Sequence, residues 1–148
     1  MTNRKWTVQL GATHVPYTHV DLKRSRDHVD GYEVVMVDLD RLITCFERDH
    51  YVIPHVSAWE AAKRDGFHEF LNPAGGACEM LVVSFSLKEK THQRFFGFIA
   101  PRVEEVAVVT FTNGRHRTRY LQFAGAAVIP VEVHESEAVQ LRKYCGAE

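Results

Sequence analysis

Apolar positions along the chain cluster in short runs rather than long blocks. Residues 31–37 end in Val-Val-Met-Val, residues 79–86 contain Met-Leu-Val-Val, and residues 106–111 are almost wholly apolar and β-branched. Each run has the length and residue types of a strand, and the last has the pattern of one covered on both faces. Shorter strands are predicted over 6–10, 17–22, 93–99 and 128–133. Leu39, Leu42, Ile43 and Phe46 fall at helical spacing and predict a helix over 39–48, capped by Asp38 or Asp40. Ser57-Ala58-Trp59-Glu60 has the form of a capping box and opens a helix to about residue 70. Residues 72–76 read as a turn, as do the polar residues 88–91, and Pro101 breaks the strand before it. A helix over 115–124 ends at Gly125, and Ser136 with Glu137 starts a last helix reaching about residue 145.

The order strand, Thr112-Asn113-Gly114, helix, Gly125, strand describes a compact βαβ unit, right-handed if its two strands lie parallel in one sheet. The whole reads as an α/β protein with a mixed sheet, one domain over 1–148, in which residues 1–30 are an N-terminal β addition. A chain of 148 residues buries enough surface to fold without a metal or disulfide. No apolar stretch nears the roughly 20 residues that span a bilayer, and no leader pattern opens the chain. Three widely spaced cysteines, Cys45, Cys78 and Cys145, are then expected as reduced thiols in a cytoplasmic protein.

The net charge is −1, which excludes a global basic field. Its distribution is uneven. Residues 106–131 hold no Asp or Glu but hold Arg115, Arg117 and Arg119, so an anion site is expected there. A second basic run, Lys23-Arg24-Ser25-Arg26, reads as a solvated turn.

Asn113-Gly114-Arg115-His116-Arg117-Thr118-Arg119 places cations in the first turns of a predicted helix, at the positive end of its dipole. Each should cost about 0.3–1 kcal/mol at an exposed site. Gly114 permits a tight turn that leaves the helix-start N–H groups pointing outward. The arrangement suits a phosphate held by backbone N–H groups and arginine forks; solvated surface arginines are the alternative. Arg117, Leu121 and Ala124 share one helix face, so Arg117 is expected to point toward the sheet, with His116 at the same mouth. Neighbouring arginines should keep His116 neutral.

The segment Val-Val-Thr-Phe-Thr-Asn-Gly-Arg-His-Arg-Thr-Arg-Tyr-Leu-Gln-Phe-Ala-Gly-Ala-Ala-Val-Ile-Pro-Val-Glu-Val resembles the signature of the ParB/sulfiredoxin superfamily, and Val34-Val35-Met36-Val37-Asp38-Leu39-Asp40-Arg41-Leu42-Ile43 resembles its opening strand and capped helix. Sulfiredoxins carry a reactive cysteine in this turn; Arg115 stands there instead, which argues against sulfinic-acid repair. Partition proteins carry a second nucleotide motif and a helix-turn-helix, and neither is evident. The chain is most similar to the plasmid fertility-inhibition factors of the oncogenic-suppression (Osa) and FiwA type. That resemblance implies ATP binding with Mg²⁺, ATP hydrolysis, nuclease activity on DNA, and inhibition of a conjugative or type IV secretion system through a coupling-protein type of component. It further implies that Asn113, Gly114, Arg115, Arg117 and Arg119 hold the nucleotide, with Arg117, Arg115 and His116 as catalytic groups. A homodimer, and peripheral attachment at the inner membrane through a partner, are compatible with it. A non-catalytic module that binds a nucleotide or DNA phosphate is the rival reading, and a stand-alone nuclease a third.

Asp38 and Asp40 form the one Asp-x-Asp after an apolar strand; helix capping is their ordinary role and metal binding the alternative. Glu104 and Glu105 lie at the far end of the strand leading to the arginine turn, about 20 Å away at about 3.3 Å per residue. Nine histidines include no His-x-x-x-His, which argues against a structural zinc site. Neither a Walker motif nor a Gly-x-Ser-x-Gly elbow is present. Phe95, Phe96 and Phe98 read as core or sheet-face residues rather than base-stacking platforms.

Overall fold

A computed structural model of the chain describes residues 4–11, 14–48, 52–92 and 102–147. Among the described residues, two sheets and four α-helices make one mixed α/β unit. The smaller sheet has the order β1-β2-β4, from Lys5–Gln9, His19–Lys23 and Cys78–Glu79. The larger has the order β3-β7-β5-β6, from Tyr32–Asp38, Val128–His134, Leu81–His92 and Arg102–Asn113. The expected N-terminal β segment therefore supplies β1 and β2, which pair antiparallel, and β2 pairs in turn with β4 in the smaller sheet.

The strand β7 is buried from Ile129 through Val133. Successive residues of a strand face opposite ways. Ile129, Val131 and Val133 join the apolar core, and the intervening Glu132 faces the other side with no exposed surface. Its carboxylate accepts from Arg24 Nε at 2.8 Å, from Ser25 N at 2.7 Å and from Arg26 N at 3.1 Å. Of the basic run expected as a solvated turn, Arg24, Ser25 and Arg26 instead wrap around this buried acid, because a carboxylate without water needs charged and N–H partners, while Lys23 stays exposed at the end of β2.

The strand–helix–strand unit departs from expectation. β6 pairs antiparallel with β5, and β5 pairs parallel with β7. β6 and β7 therefore run opposite ways with β5 between them, so this is not a parallel βαβ crossover. Although β6 sits at the sheet edge, Ala107, Val108 and Val109 are buried as its apolar run requires. Residues 88–91, expected as a polar turn, continue β5 and pair with 103–106 of β6. Lys88 and Glu89 are exposed, so polarity there does not break the ladder. The strand expected over 93–99, with Phe95, Phe96 and Phe98, and Pro101 lie outside the described residues.

Helix α1, Leu39–Glu47, is capped by Asp38, whose Oδ1 accepts from Arg41 N at 3.0 Å; Asp40 sits in its first turn. The capping box at Ser57 does not form. Residues Val56–Ala58 make a single 3-10 turn, Trp59 is extended, and helix α2 runs Ala61–Leu71 from a Glu60 with no side-chain cap. Burial of the Trp59 indole, whose Nε1 donates to Pro54 O at 2.8 Å, takes the chain out of helical geometry there. Helix α3 is Arg115–Phe123 and α4 is Glu135–Cys145, capped by His134 rather than by Ser136. All three cysteines are free and buried. No helix among the described residues is long and apolar enough to cross a membrane.

Candidate functional site

The end of β6 and the start of α3 build one wall of a cleft. An extra residue, Thr112, bulges from the ladder between Phe111 and Asn113, which pair with Val83 and Val82. Asn113 Oδ1 accepts from Val82 N at 3.0 Å and closes the break this leaves. Gly114 follows at φ 82°, ψ 15°, a left-handed conformation that a residue with a Cβ adopts only at a cost. A Cβ there would also collide with Leu81 Cδ2 and lie 3.0 Å from Arg117 Nη2. Glycine is required by conformation and by packing together. The Gly114 carbonyl accepts from both Thr118 N and Thr118 Oγ1 at 2.9 Å, and so starts α3.

The opposite wall is α2. Lys63, Gly66, Phe67 and Phe70 recur at helical spacing and face Phe111, Thr112, Asn113, Gly114, Arg115, His116 and Arg117 across a cleft of about 790 Å³. That volume suits a small organic ligand. Phe67 is tilted against Trp59 and stacked on Tyr120, with ring centroids 5.4 and 5.9 Å apart, which pins α2 to α3. The Tyr17 hydroxyl ties α2 to the segment before β2 by donating to His68 O at 2.8 Å.

Arg117 points toward the sheet as its helix face predicts. Its Nη1 donates to the Glu79 carbonyl oxygen, and the guanidinium lies 5.9 Å from the Phe70 ring centroid. Burial disfavours its charge, opposed by the nearby Cys78 and Glu79. An arginine stays protonated regardless, so it is a partly desolvated cation held at the cleft edge. The His116 ring packs edge-on to Trp59 at 5.8 Å. Burial lowers its pKa below the usual histidine value, with Lys63 and Arg115 adding to the effect, which favours the neutral ring. The shift is downward, and burial rather than the arginines is its first cause. Arg115 is exposed on the cleft rim.

Arg119 is turned away from the cleft. Its guanidinium donates to Glu47 Oε1, to Ile53 O and to Gln122 Oε1. Asp40 Oδ1 accepts from Gln122 Nε2 at 2.7 Å, and Asp38 caps α1, so both carboxylates have structural partners. Among the described residues no group of three or more His, Cys, Asp or Glu side chains could hold a metal. Glu104 and Glu105 lie in β6, far along the strand from Asn113. The sequence reading missed Lys63, Phe67 and Phe70; their helical spacing was the available signal.

The sequence model of the plasmid fertility inhibition factors matches residues 34–146. The chain belongs to that family. No curated protein matches the sequence. Among solved structures, the fold is similar to a crystal structure of an oncogenic suppression activity protein, described as a plasmid fertility inhibition factor, in its gold(I) cyanide derivative. The likeness has a TM-score of 0.65 at 14% identity and covers 97% of this chain and 70% of that one. At such identity it speaks for the fold. In this fertility inhibition factor the matched stretch includes the whole cleft, whereas β1 and β2 precede it.

Proposed function

We propose that this fertility inhibition factor binds a nucleoside triphosphate, ATP being the reference case, in the cleft between α2 and the β6–α3 turn, and that the bound nucleotide serves its inhibition of plasmid DNA transfer. Arg117, Arg115 and Lys63 meet the phosphates, and Phe67 with Phe70 offers an apolar face to the base. The observation that carries this reading is the Arg117 guanidinium, oriented by the Glu79 carbonyl beside the left-handed Gly114 in a cleft of nucleotide size. Coulombic attraction from a partly desolvated cation exceeds that of a solvated one, since the local dielectric is lower.

Hydrolysis follows from the same groups. Water attacks the terminal phosphorus, the bond to the bridging oxygen breaks, and the neutral His116 takes the proton. Arg117 and Arg115 stabilise the charge gathering on the phosphoryl oxygens. Cutting of DNA would place a phosphodiester at the same cations. The described lining residues do not fit a protein-held Mg²⁺, since no Asp or Glu is among them, and no step here is routed through one. That same lining favours a second reading, in which the cleft holds phosphate without turning it over and the factor acts on a coupling-protein type of component by occupancy.

Calorimetric titration with ATP, with and without Mg²⁺, tests the first reading beside the Arg117→Ala variant. Micromolar binding that Arg117→Ala weakens about 100-fold is the expected result, the size of a lost charge-assisted pair. No heat from the intact protein overturns it. Binding without phosphate release selects occupancy over turnover.

A further inference from the structure

The cleft does not end at Arg117. Phe70 and Arg117 also line a second concavity, together with Lys23, Ala77, Glu69 and Glu79. Lys23 and Ala77 in turn line a third, with Arg4, Lys5, Trp6, Arg24 and Asp27. The three are continuous through these shared residues.

Two arginine–aromatic stacks mark the groove. Arg117 lies over Phe70 where the first two concavities meet, and the Arg4 guanidinium lies 4.8 Å from the Trp6 ring centroid in the third. Phe70 is 57% exposed, a large apolar surface left in water at the centre of the groove. At the far end Lys5 stands directly opposite Lys23 in the β1–β2 ladder. Like charges in that register destabilise a sheet, and Asp21 lies 3.7 Å from Lys5 on the same ladder. An exposed Phe70 and a half-buried Trp6, alternating with cations, match a chain of phosphates carrying unpaired bases.

We infer that this groove is a track for a single-stranded polynucleotide, running from the α2–α3 cleft across Arg117 and Phe70 to a second phosphate subsite on β1 and β2. The subsite lies before the residues that match the family. The inference rests on the proposed phosphate site at Arg117. It assigns the aromatics to bases, which a duplex would keep stacked inside.

Fluorescence anisotropy with labelled oligothymidylates of about 4 and about 16 nucleotides, the range of site sizes for such grooves, tests it. The longer strand should bind at least about tenfold more tightly than the shorter. The double variant Lys5→Gln/Lys23→Gln should remove most of that gain and lower the salt slope by about 1.4, about 0.7 for each lost phosphate contact. Its ATP affinity should be unchanged, and its melting temperature reports that it folds. Phe70→Ala, at an exposed position, should weaken the longer strand about tenfold. Equal affinity for both lengths, unaltered binding by the double variant, or tighter binding of a duplex of equal length overturns the track. Length-dependent binding without ATP binding supports the track and overturns the nucleotide reading instead.

Discussion

Arg119 Nη2 lies 2.9 Å from Glu47 Oε1, and the same guanidinium nitrogen lies 2.9 Å from the Ile53 carbonyl oxygen. The pair ties α3 to the end of α1 and to the chain beyond it. Arg119 is thus a strut, while Arg117, two residues earlier, faces the cleft. Arg119→Ala should destabilise the protein by about 2 kcal/mol, the worth of a charge-assisted hydrogen bond to partly buried partners. ATP affinity should stay within about twofold. Urea unfolding and titration calorimetry on the same preparation check both halves, and a large loss of affinity at normal stability would return Arg119 to the binding set.

Gly114→Ala combines two penalties. The left-handed backbone disfavours any Cβ, and the Cβ itself would press on Leu81 and Arg117. Together they should cost about 2–4 kcal/mol, above the usual cost of strain alone. Because Leu81 is buried and Arg117 borders the cleft, ligand affinity should fall along with the denaturation midpoint. Chemical denaturation measures the first effect and ATP titration at low temperature the second.

Glu132 is the one residue of central β7 whose charge is fully enclosed, and its partners all come from residues 24–26. Glu132→Ala should cost about 3–5 kcal/mol by leaving Arg24 without its carboxylate in a partly buried site. Amide hydrogen exchange should accelerate at Ser25 and Arg26, whose N–H groups lose their acceptor, before it does in the helices.

Much of the fold is legible from local patterns. The β-branched runs around Val35, Val83, Val108 and Val131 are strands, and Leu39, Leu42, Ile43 and Phe46 make the buried face of α1. Turn chemistry at Gly114 and Gly125 marks the ends of α3, since both have positive φ. Non-local facts are not legible in this way. That β5 inserts between β6 and β7 depends on pairing across the chain, and no residue in 106–133 encodes it. That Arg24 is bound rather than solvated depends on Glu132, more than 100 residues away. The site divides along the same line. The β6–α3 turn stands out because its charge opposes its own helix dipole, whereas the α2 wall is visible only once the packing of Phe67 on Tyr120 places it there.

Cys145 Sγ donates to Cys45 Sγ at 3.5 Å, and Arg48 Nη1 lies 3.9 Å from the same sulfur. The hydrogen bond from Cys145, with help from Arg48, lowers the Cys45 pKa from 9.0 to about 7, against the effect of burial. Donating the shared bond, together with burial, pushes the Cys145 thiol upward, so it keeps its proton. A group whose pKa is depressed on folding binds fewer protons in the native state, so stability rises with pH between the folded and unfolded values. The Cys45 contribution is therefore absent below about pH 7, grows toward pH 9, and is lost again as pH falls back through 7. Above pH 9 the protonated Cys145 acts in the opposite sense, since the unfolded thiol ionises there. Thermal melts under reducing conditions should show a midpoint that climbs from pH 7 to pH 9 and then levels or falls. In Cys45→Ala that climb should flatten, whatever the variant's overall stability. An identical slope in both proteins would mean that the two sulfurs do not share a proton.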